Sequence, residues 1–264
     1  MNNIAIAKET LKIVKEMKYT LGGREIALPK MDYANVRVYS PEAGAALINA
    51  AADRSGELCR IRITAEDSYE AAARYENCMV MNFANAHNPG GGFLMGATAQ
   101  EESLCRCSTL YASISGEAAK EMYKYNNTHP SKVESDYMLY SEVCVFRNKN
   151  GELLEQPFLT GVVTVPAPNR IGAALLASNE AVAEAMKRRI RILCLVAREN
   201  GCRNLVLGAW GCGAFHNKPK HVAKYFRTVL IEEGYGTLFD EICFAIYGRE
   251  DGQNITVFRE CFGV

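Results

Sequence analysis

The sequence predicts an α/β domain on a largely parallel or mixed sheet, and three observations lead there. From residue 59 onward, short apolar or alternating runs give way regularly to amphipathic helical stretches, the rhythm of layered α/β folds. Leu205 to Ala209 is wholly apolar, as a strand buried on both faces requires. Two glycine-rich loops, Gly90-Gly91-Gly92 and Gly211-Cys212-Gly213, each follow a strand directly. Ligands of such sheets lie beyond the strand C-termini, so the loops are candidates for two walls of one site.

In chain order, residues 4 to 18 place Ile6, Leu11, Val14 and Met17 at helical spacing. Tyr19 to Leu28 carries Gly22-Gly23 between β-prone pieces and reads as a hairpin. Ser40-Pro41-Glu42 starts a helix that runs to about Asp53 and stops before Gly56. Residues 1–57 are read as an accessory segment of one domain spanning 1–264, with the α/β core at 58–264. In that core Arg60 to Thr64 alternates as a strand, and Asp67 caps a short helix with Glu70 at capping-box spacing. Met79 to Ala84 is a strand leading into the first glycine loop, and 100–114 reads as one helix.

The polar stretch 116–137 is read as a helix plus an irregular connection, followed by a strand from Met138 to Arg147 and a turn at Asn150-Gly151. Val162 to Val165 is a strand ended by Pro166-Ala167-Pro168-Asn169. Ser178 to Asn200 is a long helix with Val182, Met186, Ile190, Leu193 and Ala197 on one face, stopped by Gly201. Pro219 to Glu233 is the next helix, and Ile242 to Tyr247 and Ile255 to Phe258 are read as the last two strands.

Composition narrows the function classes. The 264 residues balance 30 basic against 30 acidic side chains, so no whole-molecule steering toward nucleic acid is expected. The dense basic run Lys187-Arg188-Arg189 with Arg191 falls in a helix and reads as a solvated face. No run of about eighteen apolar residues suggests a membrane span, and the opening residues lack a signal-peptide pattern. Cys78, Cys144, Cys194 and Cys243 sit in apolar runs, where a reduced thiol packs as a small hydrophobe. A reduced, cytoplasmic protein is the expectation.

Chemistry concentrates at residues 82–111. Three consecutive glycines are costly unless a backbone must approach something closely or take positive φ. Strand, glycine loop and helix start together make a place for an anion held mainly by backbone N–H groups. Neither the P-loop nor the dinucleotide fingerprint is present, since Met95 stands where the third dinucleotide glycine would fall. Gln100-Glu101-Glu102 heads the following helix. Neighbouring helix positions point about 100° apart, so the two glutamates do not flank one glycosidic bond as an acid/base pair. One enters the pocket as acid and the other orients a hydroxyl or is structural. Favourable charge at a helix N-terminus would account for either alone.

In the second loop Phe215 offers a stacking face and Asn217 a polar contact, while Cys212 reads as a small residue tolerated in a tight turn. His87, His129, His216 and His221 show no metal spacing, and Cys105-x-Cys107 lacks a partner pair. No metal and no cofactor are expected.

Asn88 to Glu102, NPGGG followed after seven residues by QEE, resembles the signature of bacterial-type poly(ADP-ribose) glycohydrolases. ETLKIVKEMKYT, SLCRCSTLY, VTVPAPN and LVLGAWGCGAFHNKP look like further stretches of that family, which extends the likeness over most of the chain. The resemblance implies a three-layer α/β/α macrodomain-like mixed sheet with an N-terminal helical extension, binding ADP-ribose or poly(ADP-ribose) on modified proteins. It also implies that Gly90, Gly91, Gly92, Gly211, Cys212 and Gly213 wrap a diphosphate, with Gln100 and Ala214 among the other ligand-binding residues. On the same basis Glu102 is the catalytic acid, Glu101 holds ribose hydroxyls, Asn88 helps fix the terminal ribose and Phe215 packs against the distal ribose. A hydrolase of mono-ADP-ribosylated protein or of another ADP-ribose derivative, and a non-catalytic ADP-ribose reader, would use the same loops.

Overall fold

A computed structural model of the chain describes residues 2–51, 54 and 56–264. It opens with α1 (Asn3–Glu16), whose first turn is capped by the Asn2 side chain, and the expected hairpin of β1 (Lys18–Leu21) and β2 (Arg24–Ala27). Next come β3 (Arg37–Tyr39) and α2 (Pro41–Ala50), capped by Ser40. The expected end of that helix, Asp53, lies outside the described residues. Then follow β4 (Arg60–Thr64), α3 (Ser68–Ala72), β5 (Cys78–Ala84), α4 (Gln100–Cys107), α5 (Leu110–Ile114) and α6 (Lys120–Thr128). The chain continues through β6 (Met138–Arg147), β7 (Leu153–Pro166), α7 (Asn179–Glu199), β8 (Asn204–Leu207), α8 (Pro219–Arg227), β9 (Glu241–Ala245) and α9 (Gln253–Phe262).

Among the described residues the main sheet has seven strands in the order β3-β6-β7-β5-β8-β9-β4. The five from β7 to β4 run parallel, and β6 and β3 extend the sheet antiparallel at one edge. Side chains alternate across a pleated strand, and the central strands supply two cores at once. Met79, Met81, Leu205, Leu207, Ile242 and Phe244 point to the face covered by α7, α8 and α9. Val80, Val206 and Cys243 point to the opposite face, under α3, α4 and α5. Helix, sheet and helix form the expected three layers. The parallel strands also deliver both glycine loops to one edge of the sheet, because β5 and β8 are direct neighbours, about 4.8 Å apart.

Four expectations are corrected. The single helix over 100–114 breaks at Ser108, which is extended, bridges Val145, and accepts the Leu110 N–H on its hydroxyl. Local side-chain bonding outcompetes the helix there. The strand expected at Val162 to Val165 begins at Leu153, because its first half forms an antiparallel hairpin with β6. β5 pairs only from Gly161 onward, so Pro157 faces no ladder on that side and is tolerated. Ile255 to Phe258 is not a strand but part of α9, where Ile255 and Phe258 bury one face at i, i+3 spacing. The basic run on α7 is not a solvated face either. Arg189 is fully buried on Asp136 and the carbonyls of Pro166, Val133 and Glu134, while Arg188 shares Asp136 and Arg191 pairs with Glu233.

The N-terminal helix packs against the segment that leaves the first glycine loop. Thr10 Oγ1 donates to the Arg106 carbonyl at 2.7 Å, and Asn3 Nδ2 to the Gly96 carbonyl at 3.0 Å. α1 therefore braces both ends of the segment that holds the glycine triplet's exit and α4.

Candidate active site

The first glycine loop is shaped by its own approach. Asn85 Oδ1 accepts the N–H groups of His87 and Asn88 at 2.8 and 2.9 Å, an Asx turn that aims the chain into the triplet. Gly90 and Gly91 take φ of 69° and 53°, a region L-residues pay to enter. Space excludes a side chain as well. A Cβ on Gly90 would stand 2.8 Å from the Tyr111 ring, and one on Gly91 would overlap Glu102 Oε1. The triplet is therefore needed because a carboxylate and an aromatic ring press directly on its backbone.

Both glutamates of α4 are buried, at 3% and 8% exposure for Glu101 and Glu102. Glu102 Oε1 accepts the Gly92 N–H at 2.9 Å, and its Oε2 has no partner. Glu101 is held at both oxygens, by the Asn85 N–H at 2.7 Å and by Asn82 Nδ2 at 3.3 Å. Asn82 is itself fixed in mid-strand by donating to Thr164 Oγ1 at 3.1 Å. Burial pushes the Glu101 carboxyl up to about 8, against the lowering effect of those two donors, and the neighbouring Glu102 charge adds to the rise. Glu101 therefore carries a proton at neutral pH. One glutamate is clamped and neutral, and the other keeps a free oxygen.

The Gln100 side chain is engaged inside the protein. Its Oε1 accepts the Phe83 N–H at 2.9 Å, and its amide donates to the Met81 carbonyl and the Ser68 hydroxyl. With every polar valence engaged, it pins the head of α4 to β5. Asn217 is likewise spent inside the protein, donating to the Pro168 and Gly211 carbonyls and so tying the second loop to the end of β7. Gly211 (φ 71°) has no room for a Cβ, which would lie 2.7 Å from both Ala167 Cβ and Asn217 Nδ2.

Gly213 and Ala214 are exposed at the loop tip, and Phe215 is half-buried and packed against the core. Burial pushes the Cys212 thiol up to about 12, so it stays protonated and is no nucleophile. Asn88 is exposed beside the triplet. Sequence reasoning missed Asn82 and Asn85. The signal was present for Asn82, a polar residue inside the otherwise apolar run from Cys78 to Ala84. Among the described residues no group of three or more His, Cys, Asp or Glu is placed to hold a metal ion, and no helix is long and apolar enough to cross a membrane.

The Gly91 and Gly92 N–H groups are given to the Asn88 carbonyl and to Glu102 Oε1, so the triplet brings its backbone close to a buried carboxyl that keeps one unpartnered oxygen. The model of the family described as microbial-type PARG, catalytic domain, matches residues 7–148. The poly(ADP-ribose) glycohydrolase of Thermomonospora curvata is 36% identical, with a TM-score of 0.91 over 98% of this chain and 99% of that one. The same enzyme bound to the inhibitor ADP-HPD is 35% identical, with a TM-score of 0.88 and 98% of each chain covered. The Deinococcus radiodurans enzyme in complex with ADP-ribose is 36% identical, with a TM-score of 0.81 over 90% of this chain and 98% of that one. Among curated proteins there is no match.

Proposed function

The chain belongs to the microbial-type poly(ADP-ribose) glycohydrolase family, and from that premise we propose how its own residues carry out the hydrolysis. It is a glycosidase that releases ADP-ribose by cleaving ribose–ribose O-glycosidic bonds. Related enzymes have been seen with ADP-ribose and ADP-HPD, and here the diphosphate lies between the Gly90–Gly92 and Gly211–Gly213 loops, whose glycines let the backbone approach closely. Asn88 and Phe215 flank the terminal ribose. Modified proteins in the cytoplasm carry the polymer that is its substrate.

Glu102 is the general acid. The observation that supports this most is its double placement: Oε1 is anchored on the Gly92 N–H of the phosphate loop, and Oε2 is unengaged. Oε2 then gives its proton to the leaving ribose oxygen as the C–O bond breaks through an oxocarbenium-like transition state. Water adds to the anomeric carbon and returns a proton to Glu102, which closes the cycle with one carboxyl acting in both directions. Glu101, neutral and clamped by Asn82 and Asn85, orients the ribose hydroxyls without adding a second charge.

The test is Glu102→Gln against wild type on poly(ADP-ribose), with calorimetric ADP-ribose binding alongside. Loss of about 10²–10⁴-fold in kcat with binding retained is the expected result for removal of an acid. Lost binding with undiminished turnover would overturn the assignment. Binding by wild type without release of ADP-ribose would move the protein to the reader class. Release from singly modified protein alone would move it to the mono-ADP-ribosyl hydrolases.

A further inference from the structure

Arg106 lies one turn beyond Glu102 on α4 and is buried. A buried arginine is ordinarily paired with a carboxylate. Among the described residues Arg106 forms no ion pair, and its side chain makes one hydrogen bond, from Nη1 to the Ala97 carbonyl at 2.5 Å. Its own carbonyl accepts from Thr10 Oγ1 of α1 at 2.7 Å, so the residue is fixed at its backbone as well as at its tip. No step of the hydrolysis derived above uses it.

The carbonyl that Arg106 holds belongs to the segment leaving the glycine triplet. The Gly92 carbonyl accepts the N–H groups of Met95 and Ala97 at 3.0 and 3.1 Å, which turns the chain back on itself. The N–H of the same Gly92 is the one given to Glu102 Oε1 at 2.9 Å. Gly92 and Ala97 pack directly on one another, since a Cβ on Gly92 would stand 2.7 Å from Ala97 Cβ. A shift of Ala97 is therefore passed to Gly92. The contacts close a ring that runs from Glu102 to Gly92, Ala97 and Arg106, then back along one helical turn to Glu102. Residues four apart on a helix are neighbours, about 5–6 Å apart at Cβ, so the ring is small and has little slack.

We propose that Arg106 is a positioning residue for the general acid, holding the exit of the triplet so that the Gly92 N–H stays on Glu102 Oε1 and Oε2 keeps its direction. Glu102 is anchored by that single N–H, so its carboxyl turns about the side-chain torsions when the donor moves. A reacting group misplaced by about 1 Å loses about 10²-fold in rate. The entry side of the triplet is held without Arg106, by Asn85 Oδ1 on the His87 and Asn88 N–H groups and by the Asn88 carbonyl on the Gly91 N–H. Loss of the arginine therefore loosens the acid while the start of the loop stays in place, which separates kcat from binding.

The proposal rests on the glycohydrolase reading, and two measurements keep the failure of each apart. The first compares turnover of poly(ADP-ribose) and calorimetric ADP-ribose binding for wild type, Arg106→Met and Arg106→Lys. Methionine fills the space without a donor, and lysine restores one; Arg106→Gln, too short to reach Ala97, carries the same comparison where methionine does not fold. Arg106→Met should lower kcat about 10²-fold and leave the Kd for ADP-ribose within about twofold. Arg106→Lys should recover most of the rate. Combined with Glu102→Gln, where no acid remains to be placed, Arg106→Met should cost nothing further in single-turnover assays, because residues that act as a unit are not additive. The second measurement is amide exchange at Gly92, which needs no substrate. It should quicken at least about tenfold in Arg106→Met and return in Arg106→Lys. A further loss in the Glu102→Gln background, or a Kd that rises in step with the fall in kcat, would reveal a merely structural role and overturn the proposal. Unchanged Gly92 exchange would overturn it too. Wild type that binds ADP-ribose but releases none from the polymer would overturn the glycohydrolase reading, and Gly92 exchange would still decide whether Arg106 holds the triplet on Glu102.

Discussion

Replacing Glu101 by Gln should make the protein more stable at neutral pH than wild type, and increasingly so as pH rises from 5 to 7. The folded carboxyl titrates near 8 because it is buried, while in the unfolded chain it titrates near 4.5, the usual glutamate value. A group with a raised folded pKa binds more protons folded than unfolded between those values. Its stabilising contribution is complete below about pH 4.5 and is lost as pH climbs through about 8. One proton over two pH units amounts to roughly 2–3 kcal/mol, or about 5 °C or more in Tm for a chain of this size. The glutamine has no such ionisation.

Its geometry can be met. The new carbonyl takes the Asn85 N–H, and the unpartnered Asn82 Oδ1 can turn toward the new amide, since the orientation of an amide follows its hydrogen bonds. The assay is urea or thermal unfolding of both proteins at pH 5, 6 and 7, read as the difference between them so that shared titrations cancel. A difference that grows by about 2 kcal/mol is expected. Parallel profiles would mean that Glu101 is ionised in the folded protein, and its role as a neutral ribose holder would fall with that result.

Two further outcomes come from the packing. Gly91→Ala places a methyl on Glu102 Oε1 at a backbone φ of 53°; a stability loss of about 1–2 kcal/mol from the backbone alone should accompany a drop of roughly 10²-fold in kcat from the displaced acid, and unaltered kinetics would show that the carboxylate does not rest on the triplet. Arg189→Met removes a fully buried guanidinium, leaves three carbonyls without their donor and leaves Asp136 with Arg188 alone. Chemical denaturation should show a loss of about 3–5 kcal/mol, whereas a neutral result would mean that the basic run on α7 is solvated after all.

Much of the site was legible in the chain because its determinants are local. The triplet and the QEE motif lie within fifteen residues, Asn88 to Glu102, and short-range spacing conveys a strand, a loop and a helix head. The alternation of Met79, Val80 and Met81 across two cores likewise follows from the period of a strand. The features that stayed hidden depend on partners far along the chain. Ile255 to Phe258 is too short an apolar run to separate strand from helix by pattern, and burial of Ile255 and Phe258 decided it. The first half of β7 is a strand because β6 pairs with it, despite Pro157. Arg189 is a core residue only because Asp136, more than fifty positions away, reaches it.

The same division runs through the chemistry. Residue types alone placed two carboxylates beside a glycine loop, since that needs only the spacing of one motif. They did not decide which glutamate is clamped, because the clamp comes from Asn82 in mid-strand and from the backbone of Asn85. Nor did they show that the Gln100 side chain is bonded to β5. Composition and local spacing can nominate an acid, but its protonation state depends on desolvation and on hydrogen bonds, which only three-dimensional packing creates.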